Sequence, residues 1–180
     1  MRLAAGSNFP QRMVILGVDP GLGATGYGLV AADGSRMRLI TAGEIRSPKT
    51  LPLAERLERI HVTLAALITR HHPDTVVLEK LFTHHHHVTT AALMAHARGV
   101  ACLVAQEHVL PLAEYASTQV KQSLTGSGHA SKEQVARMVG QWLHETDASW
   151  SADATDALAL AIVHAHVISQ RRNLQAGVLG

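Results

Sequence analysis

Four carboxylates stand where an acid is costly unless it has chemistry to do. Asp19 follows the apolar run Val14-Ile15-Leu16-Gly17-Val18, and Glu79 closes Val76-Val77-Leu78. Asp153 and Asp156 are three residues apart in an Ala-rich segment of helical pattern, so they project from one face with Cβ atoms ~5–6 Å apart. An acid set against buried apolar side chains loses hydration and needs a compensating partner. Gathered together and ionised, the four would repel until at least one pKa rose far enough to hold a proton. Divalent cations relieve that charge, and oxygen-only donors favour Mg²⁺ or Mn²⁺ over zinc. Two such ions ~3.5–4 Å apart clamp the attacking and leaving oxygens of a phosphoryl displacement. Plainer duties remain open for three of the acids. Asp19-Pro20-Gly21 also suits a turn, and Asp153 and Asp156 also suit the positive end of a helix. Glu79 has no turn or cap to serve.

The elements that must position these acids follow from the hydrophobic pattern. Residues 14–18 form a continuous, partly β-branched run that predicts a buried strand. Residues 25–32 and 36–45 are strand-like and joined by Asp33-Gly34, a tight hairpin signal. Leu53, Leu57, Ile60, Leu64, Leu67 and Ile68 recur at helical spacing across residues 52–70, and His71-His72-Pro73 ends the pattern. A fourth strand spans 75–78, a polar loop 83–87 and a long Ala-rich helix 88–107. Residues 110–115 could supply a fifth strand, and 117–128 predict a broken helix with a Gly-rich loop. Ser131 with Gln134 predicts a reciprocally capped helix to about 144, and a last helix covers 153 to about 170. The order βββαβαβαα implies an α/β domain with a mixed sheet between helices. Asp19 and Glu79 then sit at carboxyl ends of strands, where ligand sites of such sheets collect.

A competing motif is Gly21-Leu22-Gly23-Ala24-Thr25-Gly26, which matches the dinucleotide-binding G-x-G-x-x-G, with Glu44 near the place of a ribose-binding acid. That fingerprint needs a helix to begin in the glycines, and Gly28 and Gly34 would then fall inside it at ~1 kcal/mol each. The hairpin removes the conflict.

The whole chain has 180 residues, 47% apolar and 17% charged, which predicts one globular domain and excludes a disordered or fibrous chain. The expected organisation is a disordered leader over 1–12, the domain over 13–170 and a tail over 171–180. The single Cys102 excludes a disulfide framework or a cysteine zinc site and suits a reducing cytoplasm. No membrane segment or signal peptide is evident. Net charge is +2 with 13 histidines counted neutral, a positive reserve that grows as pH falls.

Gly17-Val18-Asp19-Pro20-Gly21 with Thr25-Gly26-Tyr27-Gly28, Leu78-Glu79 with Phe82, and Ala97-Arg98-Gly99-Val100-Ala101 form an ordered set of motifs. Gln119-Val120-Lys121-Gln122 and Ala152-Asp153-Ala154 with Asp156-Ala157-Leu158-Ala159 complete it. The sequence resembles the RuvC family of Holliday-junction resolvases, of the RNase H-like superfamily, from about Met13 to Ser169. The resemblance implies an RNase H-like fold with a five-stranded mixed sheet flanked by helices. It implies a homodimer that nicks two strands of a four-way DNA junction symmetrically, leaving 5′-phosphate and 3′-hydroxyl ends. The family's metal-binding acids fall on Asp19, Glu79, Asp153 and Asp156, with two Mg²⁺ per site and Mn²⁺ as a substitute. Phe82 matches an aromatic that stacks on bases, and Lys121 and Lys132 match lysines near the phosphates. Lys80 and Arg98 are further basic candidates for DNA binding. The resemblance also implies partnership with the RuvA–RuvB branch-migration complex and pairing of the 88–107 helix with its twin.

Two features depart from the family pattern, the leader and the His84–His87 tract, which reads as a solvated loop with some DNA contact. A phosphotransferase of the actin and sugar-kinase type also begins its phosphate loop Asp-x-Gly but needs two such domains. A non-catalytic DNA-binding module would not need four acids, and a related ribosomal-RNA-processing nuclease lacks the 119–122 motif.

Overall fold

The computed structural model describes residues 12–80, 88–146 and 149–178. Its elements are β1 (Arg12–Asp19), β2 (Ala24–Asp33), β3 (Arg36–Arg46), α1 (Leu53–His71), β4 (Thr75–Glu79), α2 (Val88–Glu107), β5 (Leu112–Tyr115), α3 (Ser117–Thr125), α4 (Lys132–Leu143) and α5 (Ala152–Val178). The strands form one five-stranded sheet in the order β3-β2-β1-β4-β5. The β1–β2 and β2–β3 pairs are antiparallel, whereas β1–β4 and β4–β5 are parallel. This is the mixed sheet that the sequence predicts.

Alternation along β1 divides the core. Met13 and Ile15 face one side, with α3, α4 and α5, and Leu16 and Val18 face the other, with α1 and α2. Both sides of β1 and β4 are covered, which explains their continuous apolar runs. The α5 helix lies directly on the sheet because Gly17 and Gly26 carry no side chains. A Cβ at Gly17 would run into the carbonyl oxygen of Ala157, and one at Gly26 into that of Asp153.

Three boundaries differ from expectation. β1 begins at Arg12, paired with Asp33, so the expected leader loses its last residue to the sheet. Residues 117–128 hold a regular helix, α3, that ends in Gly126 at φ 79°. Three helices therefore follow β5 where the pattern predicted two. α5 runs to Val178, past the expected end near 170, through Arg171, Arg172, Leu174 and Gln175, which are good helix formers. The reciprocal cap at Ser131 forms as predicted: its hydroxyl accepts from the Gln134 N–H at 3.3 Å, and Gln134 Oε1 accepts from the Ser131 N–H at 2.8 Å. No described helix is long and apolar enough to cross a membrane. The rest of the expected leader, Phe82 and the His84–His87 tract lie outside the described residues.

Candidate active site

Strand geometry puts two of the acids side by side. Val18 of β1 pairs with Leu78 of β4 in parallel register, so Asp19 and Glu79 are the next residues of neighbouring strands. Asp19 shares the parity of Ile15 and Gly17, and Glu79 that of Val77, so both belong to the face that α5 covers. The first turn of α5 starts above this sheet edge. Ser151 caps it: Ser151 Oγ accepts from the Ala154 N–H at 3.3 Å, and its carbonyl accepts from the N–H and hydroxyl of Thr155 at 3.0 and 2.9 Å. Gly26 beneath this turn admits Asp153, and Asp156 follows one turn on.

The convergence is visible in the electrostatics. Asp19 is pushed up to about 7, first by burial and then by the charges of Asp156, Glu79 and Asp153, with Lys132 pulling the other way. Asp153 is raised as well, by burial, by Glu44 and by Asp156. Lys132 Nζ donates to Asp156 Oδ2 at 3.0 Å, and that bond with the carboxylate's charge raises the ammonium above its usual range. A cleft of about 270 Å³ opens beside the acids, lined by Glu79, Ser117, Lys121, Lys132 and Asp156. It joins acids to cations, as a site for a phosphodiester and its counter-ions must.

Among the described residues, no three His, Cys, Asp or Glu groups stand close enough to hold one metal ion. The four acids share a field without forming a closed ligand set. Their chemistry nevertheless fits a hard divalent cation. The donors are all carboxylate oxygens, and burial together with the charges of the other three acids holds Asp19 up to about 7. A cation is the partner that such a surplus lacks.

The other predicted residues divide. Lys121 borders the cleft. Lys80 is exposed just past Glu79, and its N–H donates to the Tyr115 carbonyl at 2.8 Å. Arg98 is largely buried on the opposite face of the sheet, where it pairs with Glu114 and donates to the Glu79 carbonyl at 2.5 Å. It ties the ends of β4 and β5 together from α2. Gln119 and Gln122 also have local work: Gln119 Oε1 accepts from the Ala116 N–H at 2.9 Å, and Gln122 Nε2 donates to the Gly126 carbonyl at 2.8 Å. Glu44 and Ser151 are members of the site that the sequence analysis did not assign to it. A serine two residues before the first helical acid is a cap signal for Ser151. Glu44 had its place on a strand and, in the rejected dinucleotide motif, the place of a ribose-binding acid.

The loop after Asp19 is tied down on several sides. Arg56 donates to the Leu22 carbonyl at 2.8 Å, Ser47 N–H to Gly23 at 3.0 Å, and the Thr25 hydroxyl to Gly21 at 2.8 Å. Asp19 therefore stands on a braced strand end.

Known proteins share this chain's sequence and fold. The family model described as crossover junction endodeoxyribonuclease RuvC matches residues 15–164. The crossover junction endodeoxyribonuclease RuvC of Halorhodospira halophila is 48% identical over 152 residues, covering 84% of this chain and 89% of that protein. The one from Alkaliphilus oremlandii is 45% identical over 154 residues, covering 86% and 93%. The structure of T. thermophilus RuvC in complex with Holliday junction substrate superposes with a TM-score of 0.83 at 34% identity, covering 88% of this chain and 96% of that one. With the match spanning β1 through the acid-bearing turn of α5, this chain belongs to the RuvC family of crossover junction endodeoxyribonucleases.

Proposed function

We propose that this chain resolves four-way DNA junctions as a Mg²⁺-dependent endonuclease, with Asp19, Glu79, Asp153 and Asp156 as its catalytic and metal-holding acids. The observation that carries this reading is the state of Asp19, which feels the charges of all three other acids although the four are spread over three elements, β1, β4 and α5. Divalent ions held by these acids supply charge neutralisation and alignment of the attacking and leaving oxygens, with Mn²⁺ able to replace Mg²⁺. Asp19, largely buried and raised to about 7, would hold such a cation as the carboxylate, so metal binding there would be coupled to loss of its proton. Lys132 can turn from Asp156 toward a phosphate, and Lys121 borders the same cleft. Lys80, exposed just past Glu79, is assigned to a DNA phosphate, and Phe82, two residues further, to base stacking. Stacking of that kind contributes ~1–3 kcal/mol per base. Arg98 acts from beneath, by fixing Glu79.

The working unit is a homodimer. Leu93 and Leu103 of α2 are 38% and 52% exposed on a helix apolar nearly all round, which supports packing against a second copy. Paired nicks then leave 5′-phosphate and 3′-hydroxyl ends, in the cytoplasm and in concert with the RuvA–RuvB complex.

The deciding experiment offers the protein a synthetic four-way junction and a linear duplex with Mg²⁺ and tests the product ends for ligation. Junction cleavage to ligatable ends is expected, and Asp19→Asn should abolish it while leaving junction binding nearly intact. Cleavage that survives Asp19→Asn or removal of metal would overturn the assignment.

A further inference from the structure

Arg98 reaches the active site from behind. It lies on α2, whose Ala97 and Ala101 are buried in the core cluster that also holds Val18 and Leu78, on the side of the sheet away from α5. Its side chain is only 14% exposed. Arg98 Nη1 donates to the Glu79 carbonyl at 2.5 Å, and Nη2 pairs with the Glu114 carboxylate of β5.

Strand register explains why that carbonyl takes a donor from outside the sheet. Along a strand with two neighbours, the backbone groups of successive residues turn alternately to one side and the other. The Val76 and Lys80 N–H groups donate to the carbonyls of Pro111 and Tyr115, on the β5 side, at 3.0 and 2.8 Å. Glu79, one residue before Lys80, therefore turns its backbone groups to β1. Val18 pairs with Leu78, so the N–H that would continue the β1 ladder onto the Glu79 carbonyl belongs to residue 20. That residue is proline, which has no N–H to give. A buried carbonyl left without a donor costs free energy, and the Arg98 guanidinium supplies one.

We infer that Arg98 and Glu114 are positioning residues: the guanidinium replaces the ladder donor missing at Pro20, and Glu114 ties that guanidinium to β5, so that the backbone carrying Glu79 keeps its place beside Asp19. Arg98 thereby leaves the DNA-binding candidates. A guanidinium this buried and already paired has little to offer a phosphate, unlike Lys121 on the open cleft. Pro20 and Arg98, far apart in sequence, are two halves of one backbone contact.

This inference rests on the nuclease reading, and its test separates the two. Mg²⁺ binding is measured by calorimetry on the intact protein without DNA, below the melting temperature of every variant. The Mg²⁺ dependence of junction cleavage and junction binding in EDTA are measured alongside. Arg98→Met combined with Glu114→Gln removes one charge of each sign, so the net charge near the acids is unchanged. This double variant should weaken Mg²⁺ binding and raise the Mg²⁺ needed for half-maximal cleavage by about tenfold, the low end of losing an outer partner of a metal ligand. Its junction binding in EDTA should equal the parent's. Glu114→Gln alone keeps the bond from Arg98 to the Glu79 carbonyl and should stay within about twofold of the parent. A double variant that melts lower but keeps the parent's Mg²⁺ requirement overturns the inference, because Arg98 would then serve stability alone. Loss of junction binding in EDTA also overturns it, by making Arg98 a phosphate contact. A Glu114→Gln protein as impaired as the double variant does so too, since the ion pair would then be the operative contact. Should the double variant fail to fold, Arg98→Lys carries the test: it keeps the charge but loses the fork that reaches two acceptors, and a Mg²⁺ requirement equal to the parent's rejects the role. If the parent binds Mg²⁺ but cuts no junction, the nuclease reading fails while the binding data still decide the positioning role.

Discussion

Asp19 joins structure to chemistry at the scale of one residue. Its ordinary value of 3.8 is raised to about 7, chiefly by burial and then by three neighbouring acids. A raised carboxyl pKa costs nothing below pH 3.8, where folded and unfolded chains both hold the proton. Between the two values the unfolded chain releases its proton first, so stability falls as pH rises, by up to about 1.4 kcal/mol per unit. Asp153 is raised as well and acts in the same sense. Asp19→Asn should therefore stabilise the metal-free protein by a margin that grows from pH 4.5 to 7 and then levels off. Thermal melts in EDTA read this directly, and an equal margin at pH 4.5 and 8 would contradict the coupling. The proton-holding acid was foreseeable from sequence, because four crowded carboxylates cannot all ionise, although which of them yields depends on burial that only the fold supplies. Glu44 was not foreseeable. Counting back from the Asp33-Gly34 turn sets Gly43 opposite Gly26, and the bulge that skips Ile40 moves Glu44 into that place. A one-residue slip exchanges the faces of a strand, so the pattern alone could not place this acid over α5.

At the scale of elements, the site depends on how closely α5 approaches the sheet. Gly17 and Gly26 lie where a Cβ would meet backbone atoms of α5, which cannot rotate out of the way. Gly26→Ala should force the first turn of α5 away from β2, costing about 1–3 kcal/mol of stability as overpacking does. It should also cost far more cleavage than stability, because Asp153 moves with that turn. Gly23→Ala is the matched control: nothing lies within 4 Å of its new Cβ, and its effect should stay within about 0.5 kcal/mol. Urea titrations of the two variants beside junction-cleavage rates test this, and equal behaviour of the pair would show that α5 is free to shift. Most elements were legible because their periods were strong: α2 begins at Val88 and ends at Glu107 as its pattern predicts. α3 was harder. Gly126 and Gly128 gave residues 117–128 the look of a broken segment, when Gly126 is the left-handed residue that ends a regular helix. The glycines of β1 and β2 carried the opposite signal, marking close approach where the dinucleotide fingerprint would require a helix.

For the whole molecule the question is how a chain of net charge +2 with an acidic centre grips a polyanion. Local placement answers it better than net charge, since Lys121 and Lys132 border the same cleft as Glu79 and Asp156. Two of the thirteen histidines are withdrawn from the positive reserve. Burial, with Arg171 adding to it, holds His164 down to about 4, and burial lowers His166. A lowered histidine stays neutral across the range where an exposed one gains charge, so any pH response must come from the remaining imidazoles together with the proton that Asp19 takes up near 7. Junction binding in EDTA should therefore tighten from pH 8 to 6, and replacing His164 or His166 by Gln in a folded protein should leave that response unchanged. Binding should weaken steeply with salt, and Lys121→Ala or Lys132→Ala should each flatten the slope of log K against log salt by about 0.9 for every duplex-arm phosphate that the variant no longer neutralises. Electrophoretic mobility shifts over a salt series at both pH values provide the measurement. A slope indifferent to both lysines would place the phosphate grip elsewhere on the molecule. Loss of the pH response on replacing His164 would mean that its ring charges on binding, against the burial that keeps it neutral.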